Sequence, residues 1–372
     1  MRVLIVLILV LSSIFVFAQN DPRIISFPNI MGKQTMVCDF HLHTVFSDGE
    51  VWPTVRVDEA VAEGIDVICI SDHIEYRPHE EVTGDHNRAY EIALKKAEKS
   101  DVILIRGAEI TKNMPPGHFN AVFTSDNNLL EDNDFKVSLG EAAKQGAFIM
   151  WNHPGWRQEN NIPIWYEEHD YIYNQGWMHG MEIVNEKTYY PLAHKWCLEK
   201  GITILGGSDL HSPSGLYYDF YKGEHRTVTL VFAEERTEES VKNALRNGNT
   251  AVFSSNLLFG SKEILNSIAD KSLKMTSIDS AINQKAEKKE VFIRVHYENL
   301  SSLNYELKLV KHDTLVPEVQ TLTAETEDYI MVTPACIEKA EKPNTYYIPV
   351  VVKNMLYAPD QSIEYKLLFE TK

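Results

Sequence analysis

The feature of this sequence that most constrains its fold is a repeated alternation of short apolar runs and helical patterns between Thr35 and about Ser255. The apolar runs are nearly continuous, which is typical of parallel strands whose sheet is covered by helices. Gly64, Gly146 and Gly201 each close a helical pattern just before the next run, where a left-handed residue is favoured. Roughly seven such units predict an α/β barrel.

The pattern changes near the carboxyl end. From residue 291 to residue 372, β-branched and aromatic runs are separated by turn signals, which predicts a small all-β, sandwich-like domain. The barrel is predicted over 35–275 and a polar linker over 276–290. A helix is predicted across the junction at 256–273.

The amino terminus has the pattern of a signal peptide. Arg2 is followed by an apolar run from Val3 to Phe17 and then by Ala18, which predicts a signal peptide over residues 1–18. The alternative is a membrane anchor, but the run is shorter than the ~20 residues that span a bilayer. We therefore expect a periplasmic or secreted protein without a stable membrane span after cleavage, and an amino-terminal extension over 19–34.

The charge balance bears on the kind of partner. The chain has 53 acidic and 36 basic residues and a net charge of −17, which disfavours a surface that follows nucleic-acid phosphates. The sequence instead predicts a small substrate, and an anionic one would have to be held locally, most simply by metal cations. The oligomeric state is left open.

Ionisable residues recur at the ends of the predicted strands. His41 and His43 are two residues apart, so their side chains leave the same face of a strand, and Asp209 and His211 repeat this spacing. Single residues at other strand ends are His73, Glu109, His118 and His153. The carboxyl ends of parallel barrel strands lie on one rim, so these side chains are expected to meet.

A metal centre is the interpretation that this clustering favours. A lone histidine at a strand end is more often a hydrogen-bonded core or loop residue than a ligand. Six imidazoles and several carboxylates on one rim would be costly to bury without a cation. Imidazole and carboxylate ligands without thiolates suit Zn, Mn or Fe, and the sequence does not choose among them.

In order and context, the motifs HLHTVFSDG, SDH, GAE, PGHFN, NHPG and GSDLH are similar to those of the PHP (polymerase and histidinol phosphatase) family of metal-dependent phosphoesterases. The layout of signal peptide, barrel and β-rich tail resembles a secreted branch that includes phosphodiesterases. The resemblance covers about two thirds of the chain. It implies a distorted (β/α)7 TIM-like barrel and two or three divalent metal ions.

The resemblance also implies the ligands of each ion. His41, His43, Glu109 and Asp209 would hold one metal, with Glu109 bridging to a second. The second metal would be held by His118 and His153, and a third by His73 and His211. Many family members supply another histidine in the loop after the first strand, whereas this chain has Asp48 there.

The implied activity is hydrolysis of phosphomonoester or phosphodiester bonds by a metal-activated hydroxide. The predicted catalytic residues are His41, His43, Glu109, His153, Asp209 and His211. Arg77, Arg157 and Arg226 are candidates for binding the substrate phosphate, because a guanidinium matches its geometry. The alternatives are a metallohydrolase that acts on C–N or C–O bonds and a non-catalytic binding protein of the cell envelope.

Overall fold

The computed structural model describes residues 21–79, 81–82, 84–283 and 290–371. The predicted signal peptide lies outside the described residues. The helices are α1 (Pro53–Glu63), α2 (Arg88–Lys99), α3 (Phe135–Lys144), α4 (Glu167–Asn174), α5 (Pro191–Lys200), α6 (Ser214–Tyr217), α7 (Glu238–Arg246) and α8 (Lys262–Ser272). Among the described residues, no helix combines the length and the apolar character that crossing a bilayer requires.

The strands of the first part of the chain, as far as α8, are β1 (Gln34–Leu42), β2 (Val67–Ile70), β3 (Ile103–Thr111), β4 (His118–Val122), β5 (Phe148–Trp151), β6 (Gly180–Asn185), β7 (Thr188–Tyr189), β8 (Thr203–Gly207), β9 (Val228–Ala233), β10 (Thr250–Ser254) and β11 (Leu257–Gly260). The strands of the second part are β12 (Leu273–Asn283), β13 (Glu290–Asn299), β14 (Tyr305–Leu309), β15 (Val319–Leu322), β16 (Glu327–Val332), β17 (Glu338–Lys339), β18 (Thr345–Ala358) and β19 (Gln361–Glu370).

The first part of the chain forms a large mixed sheet. Strands β1, β2 and β3 are parallel neighbours, as are β5, β6 and β8, but β4 runs antiparallel between β3 and β5. Strands β9, β10 and β11 continue the sheet in antiparallel fashion beyond β1. The α/β class predicted from the sequence is therefore present.

The predicted (β/α)7 barrel is not confirmed, because the sheet is not closed. One edge of β1 pairs with β2, and residues Gln34–Cys38 use the other edge to pair with β9. Strand β8 pairs with β6, and the residues that follow it reach β1 only at the isolated bridge between Leu42 and Leu210. A strand has two edges, so the pairing with β9 leaves only the end of β1 accessible from the β8 side.

Helices cover the sheet through apolar positions at helical spacing. Val57 and Ala60 of α1 are fully buried, and so is Ala93 of α2. They belong to a core cluster that also contains Ile68 of β2 and Leu104 of β3. The spacing of three residues in α1 places both side chains on the face that packs toward the sheet.

The carboxyl-terminal part is continuous with the large sheet. Strand β18 pairs in parallel with β11, and β14, β15, β17 and β19 extend from β18. Strands β12, β13 and β16 form a second, three-stranded sheet. The two sheets face each other across a buried core that includes Val295, Ile330, Leu307 and Val350.

Two boundaries differ from the sequence prediction. The linker predicted over 276–290 is strand up to Asn283, where β12 pairs with β13, and residues 284–289 of it lie outside the described residues. The helix predicted over 256–273 begins only at Lys262, because Leu257–Gly260 pair with β10 as β11. The amino-terminal extension packs with Ile25 and Phe27 buried, and Ser26 exchanges hydrogen bonds with Ser302.

Candidate metal centre

The side chains predicted at strand ends meet in one buried cluster. His41 lies in β1 and His43 directly follows it, and both rings are fully buried. Their Nε2 atoms lie 3.2 and 3.0 Å from Oδ1 of Asp209. Backbone hydrogen bonds from the Asp209 amide to His41 and from the His43 amide to Leu210 fix this approach. Residues that are more than 160 positions apart in the sequence are thus in contact.

Glu109 of β3 is the central carboxylate of this cluster. Its Oε2 lies 2.7 Å from Nδ1 of His73, and its Oε1 lies 2.9 Å from Nδ1 of His118 and 3.3 Å from Nε2 of His153. The Nε2 atoms of His41 and His43 lie 3.6 and 3.5 Å from Oε2. A carboxylate shared in this way suits a bridging ligand.

Asp48 occupies the place where the family resemblance led us to expect a histidine. Its Oδ1 lies 3.2 Å from Nε2 of His211 and 3.5 Å from Nε2 of His73. Asp48, His43, His73 and His211 place one ligand atom each within 4.8 Å of one another. The structure therefore brings Asp48 to the third predicted position.

Four buried atoms of the cluster make close polar contacts but no hydrogen bond of acceptable geometry among the described residues: Nε2 of His41, Nε2 of His43, Oδ1 of Asp48 and Oε2 of Glu109. Buried polar atoms are normally paired, so unpaired atoms that converge need a ligand. The remaining ligand groups that could each hold an ion are His41, His153 and Asp209; His41, His43 and Glu109; and His73, Glu109 and His118. The residues fit divalent cations that prefer nitrogen and oxygen ligands.

The electrostatics of the cluster point the same way. Burial opposes ionisation of the two carboxylates, Glu109 and Asp209. The pKa of Glu109 is nevertheless well below the ordinary range, because the rings of His73, His118 and His41 surround it. The pKa of Asp209 is also well below that range, because of His41 and His43. Burial also opposes protonation of His73, but Glu109 and then Asp48 raise its pKa to about 10. The cluster thus holds two carboxylates charged and attracts positive charge, which a divalent cation can supply in place of protons.

Glu182 of β6 is a functional candidate that the sequence analysis missed. It is fully buried, its Oε1 lies 2.8 Å from Nδ1 of His41, and its Oε2 accepts hydrogen bonds from the His153 amide and the Asn185 side chain. A carboxylate behind an imidazole fixes the tautomer and aims the opposite nitrogen at the cation. The signal in the sequence is an acidic residue inside the apolar run GMEIVN.

A pocket of about 710 Å³ opens onto the cluster. Its floor is formed by Asp48, His73, His118, His153, Asp209 and His211, and its walls include Trp156, Arg157, Glu186 and Tyr190. The Trp156 ring lies 4.9 Å from the His118 ring and 5.4 Å from the His153 ring. The cluster can therefore be reached by a small molecule.

The three arginines predicted to bind substrate lie in different places. Arg157 lines the pocket, and its guanidinium lies 4.2 Å over the Trp156 ring. Arg77 does not line the pocket; it donates to the Gly84 carbonyl and faces Glu131.

The prediction for Arg226 is wrong. Its side chain is fully buried, donates two hydrogen bonds to Glu63 at 2.7 and 2.8 Å, and lies 3.2 Å from Oδ2 of Asp39. Asp39 in turn accepts hydrogen bonds from Ser208, the neighbour of Asp209. The guanidinium is saturated by carboxylates inside the protein and has no access to a substrate.

No family model matches the sequence. The crystal structure of a two-domain protein from Bacteroides vulgatus, described as containing a predicted PHP-like metal-dependent phosphoesterase, is 41% identical, covers 93% of this chain and 98% of its own chain, and has a TM-score of 0.81. A structure from Bifidobacterium adolescentis is 16% identical, covers 49% of this chain and 90% of its own, and has a TM-score of 0.40.

One curated relative also matches. An uncharacterized protein of Methanocaldococcus jannaschii is 41% identical over 78 residues, which are 21% of this chain and 34% of that protein. This chain thus spans about a third of the length of that relative.

Proposed function

The chain belongs to the PHP-like metal-dependent phosphoesterases, and from this premise we propose that it hydrolyses phosphoester bonds of a small substrate at a centre of two or three divalent cations. The observation that carries the proposal is the convergence of unpaired buried nitrogen and oxygen atoms at the floor of an accessible pocket. The alternatives, hydrolysis of C–N or C–O bonds and non-catalytic binding, are outcomes of the test below.

The proposed ligand sets are those that the family resemblance implies, with Asp48 in the third set. His41, His43, Glu109 and Asp209 would hold one cation, His118 and His153 with Glu109 a second, and His73 and His211 with Asp48 a third. When bound, Zn, Mn or Fe would supply Lewis acidity, which lowers the pKa of a water nucleophile and neutralises the charge of the phosphate.

The protein's own side chains would bind and orient the substrate. Arg157 forms no ion pair with any residue that the structure describes, so its guanidinium is available to the nonbridging oxygens of a phosphate. The Trp156 ring contacts the guanidinium and the rings of His118 and His153, so it places Arg157 beside these imidazoles. Glu186 lies on the same wall, and burial followed by the charge of Asp209 raises its pKa, which suits a carboxyl that gives a proton to the leaving oxygen.

We also propose that the protein is exported and acts in the periplasm or outside the cell. The support is the apolar run between Val3 and Phe17 with Arg2 before it and Ala18 after it. Sequencing the amino terminus of protein recovered from the envelope fraction tests this, since cleavage should remove residues 1–18. Recovery of the uncleaved chain from the cytoplasm would contradict it.

Metal analysis and a substrate panel test the activity. Protein purified without chelator should contain Zn, Mn or Fe, and should hydrolyse p-nitrophenyl phosphate, bis(p-nitrophenyl) phosphate or both in the presence of added Mn²⁺ or Zn²⁺. Chelation should abolish turnover and metal should restore it. Hydrolysis of an N-acyl amino acid without hydrolysis of either phosphoester would favour the C–N alternative, and bound metal without any turnover would favour a binding protein.

A further inference from the structure

Arg56 contacts the backbone of the segments that carry the proposed metal ligands and has no part in the proposed hydrolysis itself. It belongs to α1 and is fully buried. Its Nε donates to the His43 carbonyl at 2.9 Å, its Nη2 to the Leu210 and His211 carbonyls at 2.7 and 2.9 Å, and its Nη1 to the Ser212 carbonyl at 3.1 Å. A single guanidinium therefore binds the backbone on both sides of the centre.

These contacts fall at the place where the sheet is open. The segment after β1 carries His43, and the segment after β8 carries Asp209 and His211. No strand ladder joins the two segments among the described residues; the isolated bridge at Leu42 and Leu210 and the hydrogen bonds of Glu50 with His211 and Ser212 link them. The hydrogen bonds of Arg56 add to these few links.

The positive charge of the buried Arg56 guanidinium is balanced by a carboxylate. Glu59, one turn further along α1, accepts from Nη1 at 2.7 Å, and its second oxygen accepts from the Ser214 amide at 2.8 Å. Burial lowers the pKa of Arg56 and Glu59 opposes this effect, so the group stays charged in its place. The forked geometry matters, because a lysine ammonium cannot reach carbonyls spread over two segments.

We infer that Arg56 is a positioning residue that sets the spacing between His43 on one side and Asp209 and His211 on the other, and thereby the affinity of the centre for its divalent cation. The inference rests on the proposed metal centre. Because Arg56 touches neither substrate nor cation, it acts through the carbonyls of the ligand-bearing residues. Loss of such outer partners typically weakens metal binding or activity by roughly 10- to 100-fold.

The test compares Arg56→Lys and Arg56→Met with the wild type and with Arg246→Lys. Arg246 is a matched control because its guanidinium also donates to two backbone carbonyls, those of Gly146 and Ala147, but before β5, at the opposite end of the sheet. The full-length protein is first stripped of metal with a chelator, which is then removed. The dissociation constant for Mn²⁺ is measured by equilibrium dialysis, and thermal unfolding is followed in parallel. The lysine variant retains the positive charge and the alkyl part of the side chain and lacks only the forked guanidinium. It can therefore be measured even if the methionine variant does not fold.

We expect both folded Arg56 variants to bind Mn²⁺ roughly 10- to 100-fold more weakly than the wild type, with Arg246→Lys unchanged. We also expect excess Mn²⁺ to restore part of the phosphoesterase activity of Arg56→Lys. Wild-type affinity in Arg56→Lys, or an equal loss in Arg246→Lys, would overturn the inference. If the wild type binds Mn²⁺ and the variants behave as expected but no protein hydrolyses a phosphoester, the proposed activity fails and the positioning role stands.

Discussion

At the scale of single residues, Asp209 offers the most direct test of the centre. Its backbone is left-handed, with φ of 52°, a conformation that asparagine tolerates as well as aspartate does. Asp209→Asn should therefore keep the backbone while removing the charge that faces His41 and His43. We expect turnover to fall about 100-fold or more, because loss of a proposed metal ligand should cost no less than loss of its outer partners. The measurements are kcat and the metal bound per chain.

Asp101→Asn is the matched control, since Asp101 also has a left-handed backbone, with φ of 57°, and its side chain is 94% exposed. It should retain wild-type activity and metal content. Full activity in Asp209→Asn would remove Asp209 from the centre.

His169 predicts a dependence of stability on pH. In the structure the ring is neutral: Nδ1 accepts from the Tyr166 amide and Nε2 donates to the Pro116 carbonyl, while the ring stacks on Trp151. Burial lowers its pKa from 6.5 to about 4. The unfolded chain therefore binds the proton first, so the contribution of His169 is present above pH 6.5 and is lost as the pH falls toward 4. Between pH 7 and pH 5 we expect a loss of about 1–2 kcal/mol in the free energy of unfolding from this group.

Urea unfolding of the wild type and His169→Gln at both pH values measures this difference. The variant is expected to be less stable at pH 7 but to lose less stability on acidification. The same pH slope in both proteins would show that His169 does not titrate differently in the folded and unfolded states.

How much of the site could be foreseen depended on where each residue lies on its strand. That His41, His43 and Asp209 would meet was predictable, because the carboxyl ends of the parallel strands lie at one edge of the sheet. Glu182 was missed because it lies inside its strand and not at the strand end, and the acidic residue in the largely apolar run GMEIVN is a weak local signal. Arg226 was misassigned because its partner Glu63 comes from a helix more than 160 residues away, a pairing that the sequence does not reveal.

At the scale of secondary structure elements, Gly201 illustrates a local signal that the structure bears out. It follows α5 with φ of 68°, and a Cβ there would meet no heavy atom within 4 Å. Gly201→Ala should therefore cost only the strain of a left-handed alanine, about 1 kcal/mol of the free energy of unfolding. Urea unfolding measures this cost. Gly215→Ala is the control, because its site is equally open and its φ is not left-handed; an equal loss in both variants would contradict the explanation.

Other element boundaries were set by contacts that local sequence does not encode. The predicted helices of α1, α5 and α7 are present, since their apolar spacing and terminal residues are local signals. The residues of β11 were predicted as helix but are strand, because the turn at Ser255 and Asn256, both with positive φ, returns the chain onto β10. The antiparallel direction of β4 was likewise unforeseen, because an apolar run predicts a strand but not its direction.

At the scale of the whole molecule, the two parts of the chain share one sheet and one core. The pairing of β11 with β18 joins them, and a single apolar cluster extends from Ile68 near the metal centre to Val350 in the carboxyl-terminal part. Asn354 reinforces the junction, since its side chain donates to the carbonyls of Asn256 and Asn304 and accepts from the Glu306 amide. The carboxyl-terminal strands therefore support the part that carries the candidate metal centre.

This continuity predicts that the protein unfolds in a single calorimetric transition and that Asn354→Ala weakens both parts together. Asn354 is buried, so its removal takes away the hydrogen bonds of the Asn256 carbonyl and the Glu306 amide, while the Asn304 carbonyl keeps the Asn256 side chain as a donor. Each of the two groups costs about 1–3 kcal/mol if water does not reach it. We expect the variant to melt a few degrees lower, still in one transition, when measured by scanning calorimetry. Asn266→Ala is the control, because Asn266 is only half-buried and, among the described residues, its side chain bonds to the Lys262 carbonyl of its own helix. Two resolved transitions in the wild type would mean that the shared sheet does not couple the two parts.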